Sequence, residues 1–178
     1  MANVLGNAAD SMLSMSRNVI DFRVFQLGNH DQKRVPTRWT NGSIDGANMI
    51  NLLLQGTAIT YQGEEIGMTD TFLTWEETVD PLACNQDPDR YLEFSRDPAR
   101  TPFHWNNQSQ AGFSTGNKTW LPINPDYVSF NVETELLSEE SHLKVYIELL
   151  KLRQTDTWRY GSYESHAFNE DRILGFTR

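Results

Sequence analysis

An α/β fold is predicted by three features of the sequence. A strand–helix–strand unit occupies residues 24–61, an amphipathic helix follows a long aromatic-rich connection, and two strand-like runs close the chain. Ahead of them, residues 1–22 scatter Met, Ser and Asn with no clean period, and a short helix or irregular chain fits equally well.

Val24, Phe25 and Leu27 form a short apolar run ended by Gly28, which reads as a strand opening into Asn29-His30-Asp31. Ser43 stands where an N-cap is expected for a helix over residues 44–55. Its apolar residues (Ile44, Ala47, Met49, Ile50, Leu52, Leu53, Leu54) surround most of the circumference, the pattern of a buried helix. Gly56 fits the C′ stop, residues 57–61 read as a β-branched strand, and Gln62-Gly63 turns the chain away. The connection is long enough for one parallel crossover. Pattern alone leaves a doubly wound sheet and a barrel equally open, since both use this unit.

Residues 69–138 hold most of the prolines and little periodicity. They also hold Phe72, Trp75, Tyr91, Phe94, Phe103, Trp105, Phe113 and Trp120, too many aromatics for a solvated linker. A folded loop covering a site is expected. Ser138-Glu139-Glu140 then opens a helix with Leu143, Tyr146, Ile147 and Leu150 at i, i+3, i+4 and i+7. Lys151 and Arg153 suit its C-terminal dipole end. The period changes near Thr155, where a domain boundary is expected; residues 160–167 and 173–176 read as strands joined by Asn169-Glu170-Asp171. The expected division is an unassigned segment 1–22, a unit over 23–154 that includes the 69–138 loop, and a β region over 155–178.

A net charge of −9, from 24 acidic and 15 basic side chains, argues against nucleic acid or anionic membrane as partners. Cys84 is alone, so no intrachain disulfide forms within these residues. No run approaches the roughly 18 apolar residues of a membrane span. The first ten residues lack the basic start and apolar block of a signal peptide, so an export signal is expected upstream. Sequons at Asn41, Asn107 and Asn117 tilt weakly toward secretion.

Asn29-His30-Asp31 is turn-forming by composition, because Asn and Asp bond their own backbone. Its placement is more telling: titratable groups just past the C-terminal end of a strand, the face on which (β/α)8 enzymes build their sites. Arg96 and Arg100 are the cationic candidates, though a local Arg96–Asp97 pair would contribute at most about 1 kcal/mol. Glu64 and Glu65 are neighbours on an extended segment, point to opposite faces, and make a poor acid/base pair. They are expected to anchor loops.

Four segments together are specific: Gly28-Asn29-His30-Asp31, the 56–68 segment ending Gly63-Glu64-Glu65-Ile66-Gly67-Met68, Ser95-Arg96-Asp97-Pro98-Ala99-Arg100-Thr101-Pro102, and Ala111-Gly112-Phe113-Ser114. In this order and spacing they resemble the C-terminal part of glycoside hydrolase family 13 α-glucosidases, especially insect maltases, over residues 27–178. The resemblance implies the last part of a (β/α)8 barrel followed by the start of an all-β C-terminal domain. A whole barrel takes about 250 residues, so 178 are expected to be part of a larger protein.

It further implies that Asp31 is the transition-state stabiliser and that His30 binds a sugar hydroxyl in the same subsite. Arg100 is implied near the glucose hydroxyls and the catalytic carboxylates, with Arg96 more peripheral at the entrance. No cofactor is implied, and the substrate is an oligosaccharide of the maltose or sucrose type. The retaining reaction needs a nucleophile and an acid/base, which no segment here resembles, so this chain alone is expected to be inactive. The parent is expected to be secreted or anchored outside the cell. One departure stands out: Phe25-Gln26-Leu27 replaces the Asn-Trp-Val usual before the Asn-His-Asp segment. Rival readings are a non-catalytic homologue such as the ancillary heavy chain of amino-acid transporters, a membrane-anchored receptor, and trehalose-forming or sucrose-isomerising relatives. Retention of His30, Asp31 and Arg100 argues against the first.

Overall fold

Two short strands set the frame. β1 (Val24–Gln26) pairs in parallel with β2 (Thr57–Ile59), Val24 lying opposite Thr57 and Gln26 opposite Ile59. The computed structural model describes residues 24–170 and 172–178, so the expectation for residues 1–22 lies outside the described residues, as does Asp171 of the final turn.

The crossover holds α1 (Val35–Arg38), started by Pro36, and α2 (Ile44–Leu53). Ser43 holds the N-cap position of α2 as expected, but its side chain makes no cap bond. It sits in a 3-10 turn (Asn41–Ser43) with helical dihedrals, and its Oγ donates to the Thr40 carbonyl at 2.6 Å. Nor is α2 apolar on every buried position: Asn48 and Asn51 are fully buried, while Met49 is 42% exposed. The asparagines are tethers. Asn48 Nδ2 donates to the Glu64 carbonyl (3.0 Å) and Asn51 Nδ2 to the Ile59 carbonyl (3.1 Å), fixing the helix to β2 and the turn after it.

The helix ends at Leu54, which is extended, so Gly56 is not its C′ residue. Arg153, about a hundred positions away, donates to the carbonyls of Leu52, Leu54 and Gly56. A long-range guanidinium thus satisfies orphan carbonyls that a glycine stop would otherwise serve.

The connection over residues 69–138 is not structureless. It contains α3 (Pro81–Cys84), α4 (Tyr91–Phe94) and α5 (Val132–Leu137), with 3-10 turns at Asp97–Ala99, Ser109–Gly112 and Pro125–Val128. Asn131 Oδ1 caps α5 by accepting from Thr134 N (2.9 Å). Phe103, Phe130 and Val132 of this stretch pack on Ile66 and Met68, so it shares a core with the turn after β2.

α6 (His142–Arg153) begins later than Ser138. Ser141 is its N-cap, accepting from Lys144 N (3.2 Å), whereas Ser138 closes α5. With several serines and acids in a row, the one that finds an orphan N–H three residues on wins. Leu149, not the expected stripe alone, is the deepest residue of α6; it joins Leu52 and Leu53 of α2, with Val145, Tyr146 and Leu150 alongside.

After α6 the chain forms α7 (Asp156–Tyr160), then β3 (Glu164–Phe168) and β4 (Ile173–Thr177). Tyr160 is therefore helical, not the start of a strand. The strands pair antiparallel, Glu164 opposite Thr177, across a turn in which Asn169 and Glu170 both have positive φ. Trp158 and Phe176 pack against the α2–α6 core, so the hairpin is docked onto the helices. Among the described residues no helix is long and apolar enough to cross a membrane.

Candidate active site

The loop after β1 is built to expose two side chains. Asn29 Oδ1 accepts from Asp31 N at 2.8 Å, a side-chain turn that lifts His30 and Asp31 outward. A Cβ at Gly28 would lie 2.6 Å from Glu64 Oε1, so any larger residue there would force that side chain to shift. The loop therefore sits directly against the turn that follows β2.

Asp31 gathers partners from far along the chain. Its Oδ1 accepts from Arg96 Nη1 and from Arg100 Nη2, each at 3.0 Å. Arg100 Nε also donates to the His30 carbonyl (2.7 Å), so one guanidinium braces both the backbone and the carboxylate. Asp31 Oδ2 carries no such load and lies 3.4 Å from His30 Nε2. All four sequence-predicted residues thus meet at one point.

Arg96 does not pair with Asp97. It forks onto Asp80, with Nε to Oδ2 at 2.8 Å and Nη2 to Oδ1 at 2.7 Å, and Arg96 N also donates to Asp80 Oδ2 (2.8 Å). The Asp80 side chain is fully buried, and the hydrogen bonds from Arg96 hold its carboxyl well below the usual carboxylate range. Asp97 is buried too, but it serves backbone: its Oδ2 accepts from Val79 N and Asp80 N at 2.8 Å. Sequence reasoning missed Asp80, because an aspartate before Pro81 carries the signature of a helix cap. It does cap α3, accepting from Leu82 N (3.2 Å), but that is the lesser of its contacts.

Beneath the site lies Arg34, 3% exposed. It donates to the carbonyls of Gln62 (2.6 Å) and Thr101 (3.4 Å) and lies over the Tyr61 ring, while Arg34 N donates to Asp70 Oδ1 (2.8 Å). Tyr61 OH donates to the Ala99 carbonyl (3.0 Å), a second tie to the segment that carries Arg96 and Arg100. These bonds fix three loops, those after β1 and β2 and the 95–102 segment, as one unit.

Glu64 and Glu65 lie in a turn rather than on an extended strand, yet both anchor backbone as expected. Glu64 Oε2 accepts from Tyr61 N (2.9 Å) and Glu65 Oε2 from Gly63 N (2.8 Å). Burial pushes the Glu64 carboxyl up to about 7, against the opposing bond from Tyr61 N. An acid raised from 4.5 to about 7 on folding binds its proton more tightly in the folded state. Its contribution to stability is full below the unfolded value and is lost as pH rises through about 7. Urea melts should therefore show stability falling between pH 5 and pH 7.5 by on the order of 2 kcal/mol, with Glu64→Gln flattening that slope. An unchanged slope in the variant would remove Glu64 as its source.

Asp31, Arg96, Phe94 and Pro98 line a cleft of about 290 Å³. A larger hollow of about 910 Å³ borders α2, α5 and α6, but none of the convergent charged groups at Asp31 opens into it. The candidate site is the cluster of His30, Asp31, Arg96 and Arg100, which meets the smaller cleft at Asp31 and Arg96; His30 and Arg100 do not line that cleft.

Residues 5–161 match the family model described as the catalytic domain of alpha-amylase. The chain belongs to the alpha-amylase family. It is 45% identical to Maltase A1 of Drosophila melanogaster over 151 residues, 83% of this chain and 26% of that protein. It is 40% identical to a salivary alpha-glucosidase of Anopheles gambiae over 148 residues, 83% of this chain and 25% of the other. Among solved structures it resembles isomaltulose synthase from Klebsiella sp. LX3, with a TM-score of 0.75 and 30% identity, covering 90% of this chain and 33% of that one. This alpha-amylase family chain thus spans about a quarter of the length of the curated relatives it matches. Its β1–α2–β2 unit belongs to a partial (β/α)8 barrel.

Proposed function

We propose that this chain is the C-terminal part of a retaining α-glucosidase that releases terminal α-linked glucose from maltose, sucrose or related oligosaccharides. One observation carries the reading: two arginines hold one oxygen of Asp31 and leave the other, beside His30, to meet a sugar. The names of the relatives support the substrate class, since they are maltases and alpha-glucosidases.

In this reading Asp31 Oδ2 accepts a hydroxyl of the glucosyl ring and His30 Nε2 donates to another ring oxygen. The fixed Oδ1 sets the carboxylate plane, so no reorientation is needed as the ring flattens toward an oxocarbenium-like state. Hydrogen bonds that shorten at that moment lower the barrier, whereas those equally strong in the ground state do not. Arg100 orients His30 through its carbonyl and Asp31 through Oδ1; Arg96 completes the pair.

Retention also needs a nucleophile and an acid/base whose carboxyls lie about 5–5.5 Å apart. The other carboxylate joined to this cluster, Asp80, is fully committed to Arg96 and to backbone. Both groups must come from elsewhere in the protein, and the 178 residues alone should turn over nothing. Within this scheme residues 23–154 belong to the barrel, residues 69–138 cover the site, and residues 155–178 begin the β domain. Secretion, or anchoring outside the cell, is supported by relatives named as salivary enzymes.

The test is product analysis with the full-length protein. Maltose should give glucose released first as the α anomer, visible by NMR before mutarotation, while the isolated 178-residue chain gives none. Release of the β anomer, or no cleavage by the full-length protein, would overturn the proposal. A sucrose-isomerising activity, the reading favoured by the isomaltulose and trehalulose synthases among the solved relatives, would instead return a disaccharide.

A further inference from the structure

Arg96 is held from both ends, and the two holds are unequal. Toward the interior, Asp80 takes Nε and Nη2 in a fork and also accepts from Arg96 N. Toward the cleft the hold is a single bond, from Nη1 to Asp31 Oδ1 at 3.0 Å. Asp80 has no exposed side-chain surface, whereas Asp31 is about half exposed.

We propose that Asp80 is a positioning residue for the sugar-binding carboxylate. By gripping Arg96 side-on through Nε and Nη2, it fixes the place and plane of that guanidinium, so that Nη1 meets Asp31 Oδ1 and Asp31 Oδ2 stays open. The inference rests on the α-glucosidase reading above.

One planar guanidinium is placed by the stronger of its two holds. A guanidinium and a carboxylate prefer two parallel bonds, and Arg96 has carboxylates on both sides. If Arg96 left Asp80 and moved over Asp31, a bond to Oδ2 would occupy one of its lone pairs and crowd the approach of a sugar hydroxyl. Asp80 prevents this because its own position is overdetermined. Its backbone N is bonded to Asp97 Oδ2 (2.8 Å) and its Oδ1 to Leu82 N (3.2 Å). It cannot follow Arg96 outward. Asp97, itself buried and bonded to Val79 N, supports Asp80 from behind. The arrangement runs from Asp97 through Asp80 and Arg96 to Asp31, and it converts a buried ion pair into a fixed direction at the cleft.

In the full-length enzyme, Asp80→Asn replaces one accepting oxygen by a donor that faces the guanidinium, so the fork is lost. Turnover of a chromogenic α-glucoside should then fall about tenfold or more in kcat with KM changed less than about threefold, because the Asp31 contact matters most at the transition state. The decisive arm is the double variant. In an Arg96→Gln background, Asp80→Asn should cost less than about a further twofold, since its effect passes through Arg96. A multiplicative loss in the double variant, or a twofold or smaller loss in the single one, would overturn the proposal.

Arg96→Lys guards against a variant that fails to fold. A single ammonium cannot fork onto Asp80 and reach Asp31 together, so Lys should be as slow as Gln; full rescue by Lys would also overturn it. Failure of the α-glucosidase reading is separate. It would appear as an inactive wild type, or as an Asp31→Asn enzyme that works normally.

Discussion

Asp31→Asn in the full-length protein is expected to lower turnover of a chromogenic α-glucoside by roughly two to three orders of magnitude, a loss of about 3–4 kcal/mol of transition-state stabilisation. The amide keeps the shape of the carboxylate and can still accept one bond from Arg96 or Arg100. What it loses is the second accepting oxygen and the negative charge opposite a ring that becomes cationic. Folding should be spared, because the Asp31 side chain is 47% exposed and belongs to no apolar cluster. A melting temperature within a few degrees of wild type, measured alongside kcat, separates the two effects. Near-normal turnover would mean that this carboxylate is not where the sugar is held.

Arg34→Met should produce the largest loss of stability, on the order of 3 kcal/mol, read as a lower urea midpoint at unchanged slope. Methionine fills much of the same space but cannot donate, so the Gln62 carbonyl loses its bond from Arg34 in a buried setting and the Thr101 carbonyl keeps only the one from Gln62 Nε2 (3.3 Å). An orphaned acceptor costs about 1–3 kcal/mol, the weakened Thr101 carbonyl adds to that, and the stack over Tyr61 goes as well. One term opposes this: burial already pushes the Arg34 guanidinium down from its usual value, so removing the cation relieves a desolvation cost. The two carbonyl bonds and the ring contact outweigh that relief. A loss below about 1 kcal/mol would show that the three loops are held together by packing and by the Tyr61 and Thr71 contacts, without the arginine.

The sequence makes some of this legible and hides the rest for identifiable reasons. Short apolar or β-branched runs suffice for β1 and β2 and helical spacing for α2 and α6, although in the strands only Phe25 and Ala58 are even partly buried. Arg153 as the cap of α2, and Arg34 as the tie under the site, are invisible to such reading. Their partners are backbone carbonyls, which every residue has, reached from positions about a hundred and from 28 to 67 residues away. The start of α6 was misplaced because Ser138, Glu139 and Ser141 all carry capping chemistry, and only the fold decides which N–H is orphaned. Tyr160 reads as strand by composition but completes a short helix after Thr155.

The site follows the same logic. His30, Asp31, Arg96 and Arg100 were singled out by their motifs, and the structure brings them together at hydrogen-bonding distance. Asp80 was not, since one residue type at one spacing serves both as helix cap and as clamp. Its signal would have been a surplus of buried acid near a lone arginine, which requires the fold to see.

The most direct test of the central claim asks whether Asp31 and the sugar hydroxyls act on each other. Wild-type and Asp31→Asn full-length enzymes would be compared on an α-glucoside and on its 2-deoxy and 3-deoxy analogues, reading kcat/KM for each. If Asp31 Oδ2 holds a ring hydroxyl, one deoxy analogue should be slower by about a hundredfold in wild type but by less than about tenfold in the variant, whose partner is already gone. Equal penalties for every deoxy analogue in both enzymes would contradict the assignment of Asp31 as the sugar-binding, transition-state-stabilising carboxylate.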